Sequence, residues 1–218
     1  MRELTMGDIE LVVSTMADVA IVNEKYFSDL DSAAGDADFG VSLASGFRAM
    51  KGQWDNIDRS SIGSFLMKVG MIITGNVGGC SGPIWGTCFI RSGMKSKEKV
   101  SLSLSDIVDM LRSAIEGIMA RGGAQLGDKT LLDALAPATD KLEDWSKNES
   151  GNILDALEEA TSIATFQIEA TRSWIAKRGR QSFTGERSIG TLDPGIVAVA
   201  IMMQEVTKKL KEAHVKDS

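Results

Sequence analysis

Apolar residues recur at steps of three and four positions along most of this chain, and no other feature constrains the fold as strongly. This spacing places apolar side chains on one face of an α-helix, whereas a strand places them at every second position. Alternating runs of the strand type are nearly absent. We therefore predict an all-α fold in which amphipathic helices pack against one another through their apolar faces.

The apolar pattern divides into eight predicted helices. They cover approximately residues 8–27, 39–51, 60–74, 83–93, 104–119, 130–145, 153–177 and 194–213. Successive helices of an up-and-down bundle run antiparallel, so every second turn lies at the same end. The turns before the second, fourth and eighth predicted helices should therefore lie together. Each of these three turns has an unusual composition.

The first of these turns carries three carboxylates within eight residues, at Asp31, Asp36 and Asp38. Carboxylates that converge in a partly dry place must become protonated, pair with a cationic side chain or hold a metal ion. The segment 26–47 contains no Lys or Arg. Three carboxylates are too few for a calcium cage, so Mg²⁺ completed by phosphate oxygens and water fits best. The alternative is a solvated acidic loop.

Glycines at positions 35 and 40 enclose two of these acids. We predict that they supply backbone conformations closed to residues that carry a Cβ atom. A calcium EF-hand loop is a poor match, because Gly40 and Phe47 occupy positions that require oxygen ligands. The helix predicted to follow would place the acids beside an N-terminus, where phosphate is favoured.

The second turn is the sequence G-N-V-G-G-C-S-G-P over residues 75–83. Exposed backbone N–H groups at a helix start can surround a phosphate, and the Ser81 hydroxyl can assist them. Glycine-rich turns between helices are also common without any ligand.

The segment 122–130 imitates a P-loop, but Asp128 separates its glycine from its lysine and no strand precedes it. We reject the P-loop interpretation.

The third turn spans residues 179–195, and connections of this length are often functional. It carries Arg180 and Arg187, which can contact phosphate or form surface ion pairs. Asp193 is predicted to cap the last helix. Acids, glycine N–H groups and arginines would then meet at one end of the bundle, which is the chemistry that holds Mg²⁺ and a polyphosphate.

Composition excludes several classes of function. The 218 residues carry a net charge of −6, which argues against a nucleic-acid partner. No apolar run is long enough to span a membrane. The single histidine, His214, lies near the end of the chain, so we expect no Ser-His-Asp site or phosphohistidine. Two cysteines and the lack of a signal-peptide pattern favour the cytoplasm.

Four blocks of this sequence resemble those of the nucleotide-binding L subunits of dihydroxyacetone kinases (DhaL). They are L-D-S-A-A-G-D-A-D-F-G (30–40), G-G-C-S-G-P (78–83), G-D-K-T-L-L-D-A-L-A-P-A (127–138) and G-E-R-S-I-G-T-L-D-P-G (185–195). The resemblance spans nearly the whole chain. It implies a single nucleotide-binding domain over residues 1–218, built as an antiparallel barrel of eight helices with ADP or ATP and two Mg²⁺ ions at one end.

The resemblance also implies roles for individual residues. Asp31, Asp36 and Asp38 would be the metal ligands, and no residue would be catalytic by itself. Nucleotide contacts would come from Phe39, Gly40, Val41, Ser42, Gly79, Cys80, Ser81, Gly122, Leu131, Arg180, Asp193, Pro194 and Gly195. Two positions depart from the family pattern G-D-G-D-H-G, since Ala37 replaces a glycine and Phe39 replaces a histidine. Phe39 has no polar side-chain atom to offer a nucleotide.

Three functions are compatible with this family. In the first, which we favour, bound ADP is rephosphorylated by a phosphohistidine protein of the phosphotransferase system and passes the phosphoryl group to a ketose. That ketose is held by a separate kinase subunit. In the second, the subunit exchanges free ATP, and the ketose is dihydroxyacetone or erythrulose. In the third, the nucleotide-loaded chain is a non-catalytic partner of a transcription regulator.

Overall fold

The computed structural model describes residues 3–76, 81–147 and 152–215. Nine α-helices lie in these ranges, and a turn of 3₁₀-helix covers Trp54–Asn56. The α-helices are α1 (Met6–Val22), α2 (Glu24–Ser32), α3 (Phe39–Gly52), α4 (Ile62–Asn76), α5 (Ser81–Ser96), α6 (Leu104–Gly122), α7 (Leu132–Ser146), α8 (Ile153–Ala170) and α9 (Pro194–Val215).

Eight of the helices form a closed ring. Each of α3 to α8 packs against the next helix along the chain, and α1 packs against both α3 and α9. The ring confirms the predicted all-α, up-and-down helical barrel. Helix α2 is the extra element, since it lies outside this ring order and packs on α3 and α9.

The first predicted helix is two helices in the structure. The chain leaves helical geometry at Asn23, where φ is −94° and ψ is 13°. The side-chain amide of Asn23 donates to the Val19 carbonyl. That carbonyl also accepts the backbone N–H of Asn23, which ends α1. Helix α2 then continues in a new direction to Ser32, five residues beyond the predicted end, and delivers the chain to the acidic turn.

The seventh helix is shorter than predicted. Helix α8 ends at Ala170 rather than near residue 177. Thr171 is fully buried, and its hydroxyl donates to the Gln167 carbonyl. The chain then forms turns and a 3₁₀ segment at Arg180–Ser188, where we had expected an irregular loop.

A small antiparallel sheet also joins two helix starts. It pairs β1 (Glu3–Thr5) with β2 (Ser101–Ser103), with Leu4 opposite Leu102. Each strand ends in a capping box, formed by Thr5 with Asp8 and by Ser103 with Asp106. Strands of three residues are too short to produce an alternating pattern, so periodicity could not predict them.

The barrel interior is apolar and encloses a cavity of ≈ 220 Å³. Side chains of α1, α4, α5, α6, α7, α8 and α9 line it, and Trp85 belongs both to this lining and to that of a second cavity at the barrel end. Across the described ranges, no helix combines the length and apolar character needed to cross a bilayer. The functional features lie at the barrel end.

Candidate functional site

The three aspartates of the acidic turn converge as predicted. Asp31 lies in the last turn of α2, Asp36 lies in the turn itself, and Asp38 is the N-cap residue of α3. One carboxylate oxygen from each residue lies within 4.8 Å of the others. Asp31 is buried, while Asp36 and Asp38 are exposed. The backbone N–H of Phe39 donates to Asp31 Oδ2 at 3.3 Å and orients the buried acid.

The glycines of this turn are needed for a different reason from the one predicted. Neither Gly35 nor Gly40 has the left-handed φ that we expected. A Cβ at Gly35 would overlap the Asp31 carboxylate, and one at Gly40 would overlap the Glu24 carbonyl of α2. Both positions therefore require glycine for close approach. The left-handed residue of the turn is Ala37, with a φ of 63°.

The electrostatics of the three carboxylates favour a bound cation. Burial raises the pKa of Asp31, and the charges of Asp36 and Asp38 raise it further, against the opposing hydrogen bond from Phe39. Burial and the charge of Asp36 likewise raise the pKa of Asp38, although Arg180 opposes them. Three oxygen donors that destabilise one another as anions fit a hard divalent ion such as Mg²⁺.

Arg180 faces the acids from the long turn before α9. Its Nε lies 2.7 Å from Asp36 Oδ2. A second arginine, Arg178, lines the same cavity, and its Nε lies 3.4 Å from Asp128 Oδ2. Two guanidinium groups therefore line the same cavity as the three carboxylates, which is an arrangement suited to an anion and a cation bound together.

A cavity of ≈ 170 Å³ joins these groups at the end of the barrel. Four helix starts contribute to its wall, through Phe39 of α3, Ser81 of α5, the N-cap residue Leu131 of α7 and Pro194 of α9. The described parts of the three turns that helix parity predicted to lie together do so, and the start of α7 joins them. Four positive helix ends around one cavity favour an anionic ligand.

Most of the predicted site residues that the structure describes lie in this cavity wall. They are Asp31, Asp36, Asp38, Phe39, Ser81, Leu131, Arg180, Asp193, Pro194 and Gly195. Gly40, Val41 and Ser42 follow Phe39 in the first turn of α3. Gly122 ends α6, and a Cβ there would lie 3.0 Å from Ile84 Cδ1 of the wall. Gly79 and Cys80 lie outside the described residues.

The side chain of Phe39 is only partly exposed, and its ring packs against a neighbouring helix. It packs edge-on against Phe27 of α2, with ring centroids 6.2 Å apart.

Asp193 caps α9 as predicted, because its Oδ1 accepts the Ile196 N–H at 2.8 Å. Burial raises the pKa of Asp193 to about 7, although the Ile196 N–H and the charge of Lys129 oppose that shift.

The structure adds residues that we did not predict. Thr130, Ile84, Trp85, Arg178 and Gln181 also line the cavity. Trp85 follows Ser81 by one helical turn, and Arg178 precedes Arg180 by two residues, so spacing could have indicated both. Nothing in the sequence singled out Gln181. Arg187, our other candidate for phosphate, is exposed and lies outside the lining.

Lys129 anchors the arginine-bearing turn. Its side chain is 1% exposed, and Nζ donates to the carbonyls of Arg172, Trp174 and Ser188 at 3.3, 3.1 and 2.7 Å. Its backbone has a φ of 62°. The lysine of the P-loop-like segment therefore donates to backbone carbonyls within the protein. This position agrees with our rejection of the P-loop interpretation.

Known proteins are similar to this chain in sequence and in fold. The chain is 37% identical over 195 residues to the PEP-dependent dihydroxyacetone kinase, ADP-binding subunit DhaL, of Escherichia coli, covering 89% of this chain and 92% of that protein. It is 34% identical over 218 residues to a second such subunit, from Listeria innocua, covering 98% and 100% of the two chains.

A solved structure agrees with these relatives. The crystal structure of the dihydroxyacetone kinase from C. freundii in complex with AMP-PNP and Mg²⁺ superposes with a TM-score of 0.69 at 25% identity, covering 94% of this chain and 33% of that one. The sequence profile of the DAK2 domain matches residues 33–208. The chain therefore belongs to the DAK2 domain family of dihydroxyacetone kinase subunits, which its four sequence blocks had indicated.

Proposed function

We propose that this chain is the ADP-binding subunit of a dihydroxyacetone kinase and relays a phosphoryl group through ADP or ATP held with two Mg²⁺ ions. The observation that carries the proposal is the convergence of Asp31, Asp36 and Asp38 with Arg178 and Arg180 on one cavity. Relatives named as ADP-binding subunits, and a related kinase crystallised with AMP-PNP and Mg²⁺, support it.

The residues of the cavity divide into two groups by chemistry. The three aspartates would hold Mg²⁺, which neutralises charge on the phosphate oxygens when it is bound. Arg180 and Arg178 would contact the phosphates beside these aspartates, and the Ser81 hydroxyl would add a hydrogen bond at the start of α5. Apolar side chains, among them Leu131 and Ile84, would exclude water from the nucleotide.

The cavity offers little to a ketose. Its charged groups, the acids and the arginines, suit a metal-bound phosphate, and no histidine lies among the described lining residues that could accept a phosphoryl group. We therefore propose that a separate subunit binds the ketose and that a phosphohistidine protein of the phosphotransferase system regenerates ATP on this chain. The chain would be active only in that complex, and contact with a transcription regulator remains a prediction from the resemblance.

Retention of nucleotide tests the proposal. The protein is purified with Mg²⁺, passed through gel filtration, denatured, and analysed for bound nucleotide by chromatography. We expect close to one ADP per chain, and an Asp36→Asn/Asp38→Asn double variant should carry none. An Asp29→Asn variant, which changes an exposed acid on the same helix as Asp31, should behave like the wild type.

Reconstitution then identifies the phosphoryl donor. The chain is mixed with the ketose-binding subunit, dihydroxyacetone and either a phosphorylated phosphotransferase protein or ATP. Turnover with the phosphoprotein and catalytic ADP supports the relay. Rapid loss of nucleotide in gel filtration with turnover only on excess ATP would instead support the ATP-exchanging kinase. Nucleotide binding without transfer to dihydroxyacetone or erythrulose would contradict both.

A further inference from the structure

Two buried side chains in the wall of the nucleotide cavity carry polar atoms without partners. Among the described residues, such atoms belong to Ser28, Thr74, Trp85 and Gln181. Trp85 and Gln181 line the cavity at the barrel end. Buried polar atoms in folded proteins are nearly always paired, so both side chains need a partner that the described residues do not supply.

Gln181 is the more informative of the two. Its side chain is 4% exposed, and both Oε1 and Nε2 lack a hydrogen-bond partner within the described ranges. Its backbone is fixed, because the Gln181 carbonyl accepts the Thr184 hydroxyl at 2.7 Å. A carboxamide offers one acceptor and two donors. A single group that satisfies both amide atoms therefore has to donate one hydrogen bond and accept another.

The lining of the cavity combines charged and apolar groups, and a neutral partner fits the apolar ones. The acids and the guanidinium of Arg180 form the charged side of the cavity. Ile84, Leu131, Trp85 and Pro194 supply apolar surface on the same lining. A flat, neutral heterocycle suits apolar walls, while a Mg²⁺-bound diphosphate suits the charged side. A purine base also carries the adjacent donor and acceptor that pair with a glutamine amide.

We propose that Gln181 recognises the adenine edge of the bound nucleotide, donating from Nε2 to a ring nitrogen and accepting the 6-amino group at Oε1. This inference rests on the proposed function. Trp85 Nε1 is a donor only and would pair with an acceptor on the same nucleotide. Gln181 thereby becomes a specificity-determining residue of the site.

A Gln181→Met variant tests the proposal without creating a large cavity, because the two side chains have similar length. Binding of ADP and of purine riboside 5′-diphosphate, which lacks the 6-amino group, is measured by calorimetry with Mg²⁺ for both proteins. We expect the wild type to prefer ADP by about 5–20-fold, a range typical of one hydrogen bond. The variant should bind the two ligands alike, and Mg²⁺-pyrophosphate should bind both proteins equally.

A stability measurement supplies a second readout. Since the Gln181 amide is unpaired without ligand, the methionine variant should melt about 2–6 °C higher than the wild type in the absence of nucleotide. Gln53→Met is the matched control, because Gln53 is exposed and remote from the cavity lining. It should change neither the base preference nor the melting temperature by a similar amount.

The outcomes separate the two proposals. If the wild type fails to bind Mg²⁺-ADP, the proposed function and this inference both fail. If ADP binds normally but Gln181→Met leaves the preference for the 6-amino group intact, only this inference is overturned. A preference for ADP over 2′-deoxyADP that disappears in the variant would assign the amide to the ribose and would also overturn the base contact.

Discussion

The guanidinium of Arg180 lies against Asp36, with Nε 2.7 Å from Oδ2, across the turn that carries the three carboxylates. The Arg180 side chain is 62% exposed, so solvent screens the pair and it adds little to the free energy of folding. Its position matters more, because the arginine can exchange Asp36 for a phosphate oxygen when a nucleotide enters. The pair thus holds the guanidinium beside the proposed phosphate position.

We expect Arg180→Ala to weaken Mg²⁺-ADP binding roughly 10–100-fold, because a charge-assisted hydrogen bond to phosphate contributes about 1.5–3 kcal/mol. Calorimetry measures the change. Arg187→Ala is the matched control, since Arg187 lies in the same turn but is exposed and outside the cavity lining. Equal losses in the two variants would mean that general positive charge, not the position of Arg180, attracts the nucleotide.

Asp31 gives the second prediction, in which stability and binding change in opposite directions. Burial and two neighbouring carboxylates raise its pKa in the folded state, so the charged form is destabilising at neutral pH. Asp31→Asn should therefore raise the melting temperature by about 2–4 °C in EDTA, as expected for roughly 1 kcal/mol in a chain of this size. It should also abolish the stabilisation that Mg²⁺-ADP gives the wild type.

Thermal melts with and without Mg²⁺-ADP check this expectation. Asp29→Asn is the control, because Asp29 is an exposed neighbour paired with Lys25. A ligand-free Asp31→Asn protein that melts below the wild type would show that the carboxylate is structural, not a strained metal ligand.

The acidic turn was predictable because its chemistry is local. Three carboxylates within eight residues can be read directly from the sequence, and helix parity places their turn beside the two others. The reason for its glycines was less accessible. Gly40 approaches the Glu24 carbonyl closely because of the way α2 packs on α3. The spacing of apolar residues does not predict how two helices pack on each other.

Lys129 shows why other features could not be predicted. Its three carbonyl acceptors lie 43, 45 and 59 residues further along the chain. Local spacing reveals only that a lysine follows an aspartate in a glycine-rich turn. The early end of α8 has a related cause, because the turn after it is held by Lys129 and by the backbone pair Lys177 N–H to Asp128 carbonyl rather than by local propensity.

Ala37 provides the third prediction. Its φ of 63° is unfavourable for a residue with a Cβ atom. Ala37→Gly should raise the free energy of unfolding by about 0.5–1 kcal/mol, since relief of the left-handed strain exceeds the entropy that glycine adds to the unfolded chain. Urea denaturation measures the difference.

The reverse substitution is the matched comparison for Ala37. Gly127 has a φ of 87° and open space around its Cβ position, so Gly127→Ala changes the backbone preference without a clash. It should lower the free energy of unfolding by about 1 kcal/mol. Destabilisation by Ala37→Gly would mean that the alanine methyl group makes contacts that outweigh the strain.

Asp8 gives a prediction about pH. Burial raises its pKa, but hydrogen bonds from the Thr5 backbone, His214 and the Thr5 hydroxyl outweigh burial and leave the pKa below the ordinary value of 3.8. His214 Nε2 lies 2.7 Å from Asp8 Oδ1, joining the end of α9 to the start of α1. A depressed carboxyl pKa contributes stability that is present above pH 3.8 and is lost as pH falls through the folded-state value.

We expect Asp8→Asn to lower the free energy of unfolding by about 1 kcal/mol at pH 7, a magnitude typical of a lost helix cap. The difference from the wild type should shrink as pH falls below 3.8, where the wild-type carboxylate becomes protonated. Urea titrations at several pH values measure it. Asp109→Asn, at an exposed position of α6, should follow the wild type throughout. A constant difference would rule out the carboxylate charge as its cause.

Lys129 supplies the last prediction, which concerns the turn that carries the arginines. Replacing it with methionine keeps most of the buried volume but removes Nζ, the donor that joins the carbonyls of Arg172, Trp174 and Ser188. The Arg172 carbonyl still accepts the Gly190 N–H, and the Ser188 carbonyl still accepts the Thr191 hydroxyl. We expect Lys129→Met to lower the free energy of unfolding by about 1–3 kcal/mol, because the Trp174 carbonyl loses its charged donor while the other two carbonyls keep neutral donors. Limited trypsin digestion should cut the variant first between residues 178 and 188, and Mg²⁺-ADP affinity should fall with it.

Lys177→Met, at an exposed position of the same turn, is the control and should keep both trypsin resistance and affinity. If Lys129→Met lost stability uniformly without early cleavage in this turn, the lysine would stabilise the core rather than position Arg178 and Arg180.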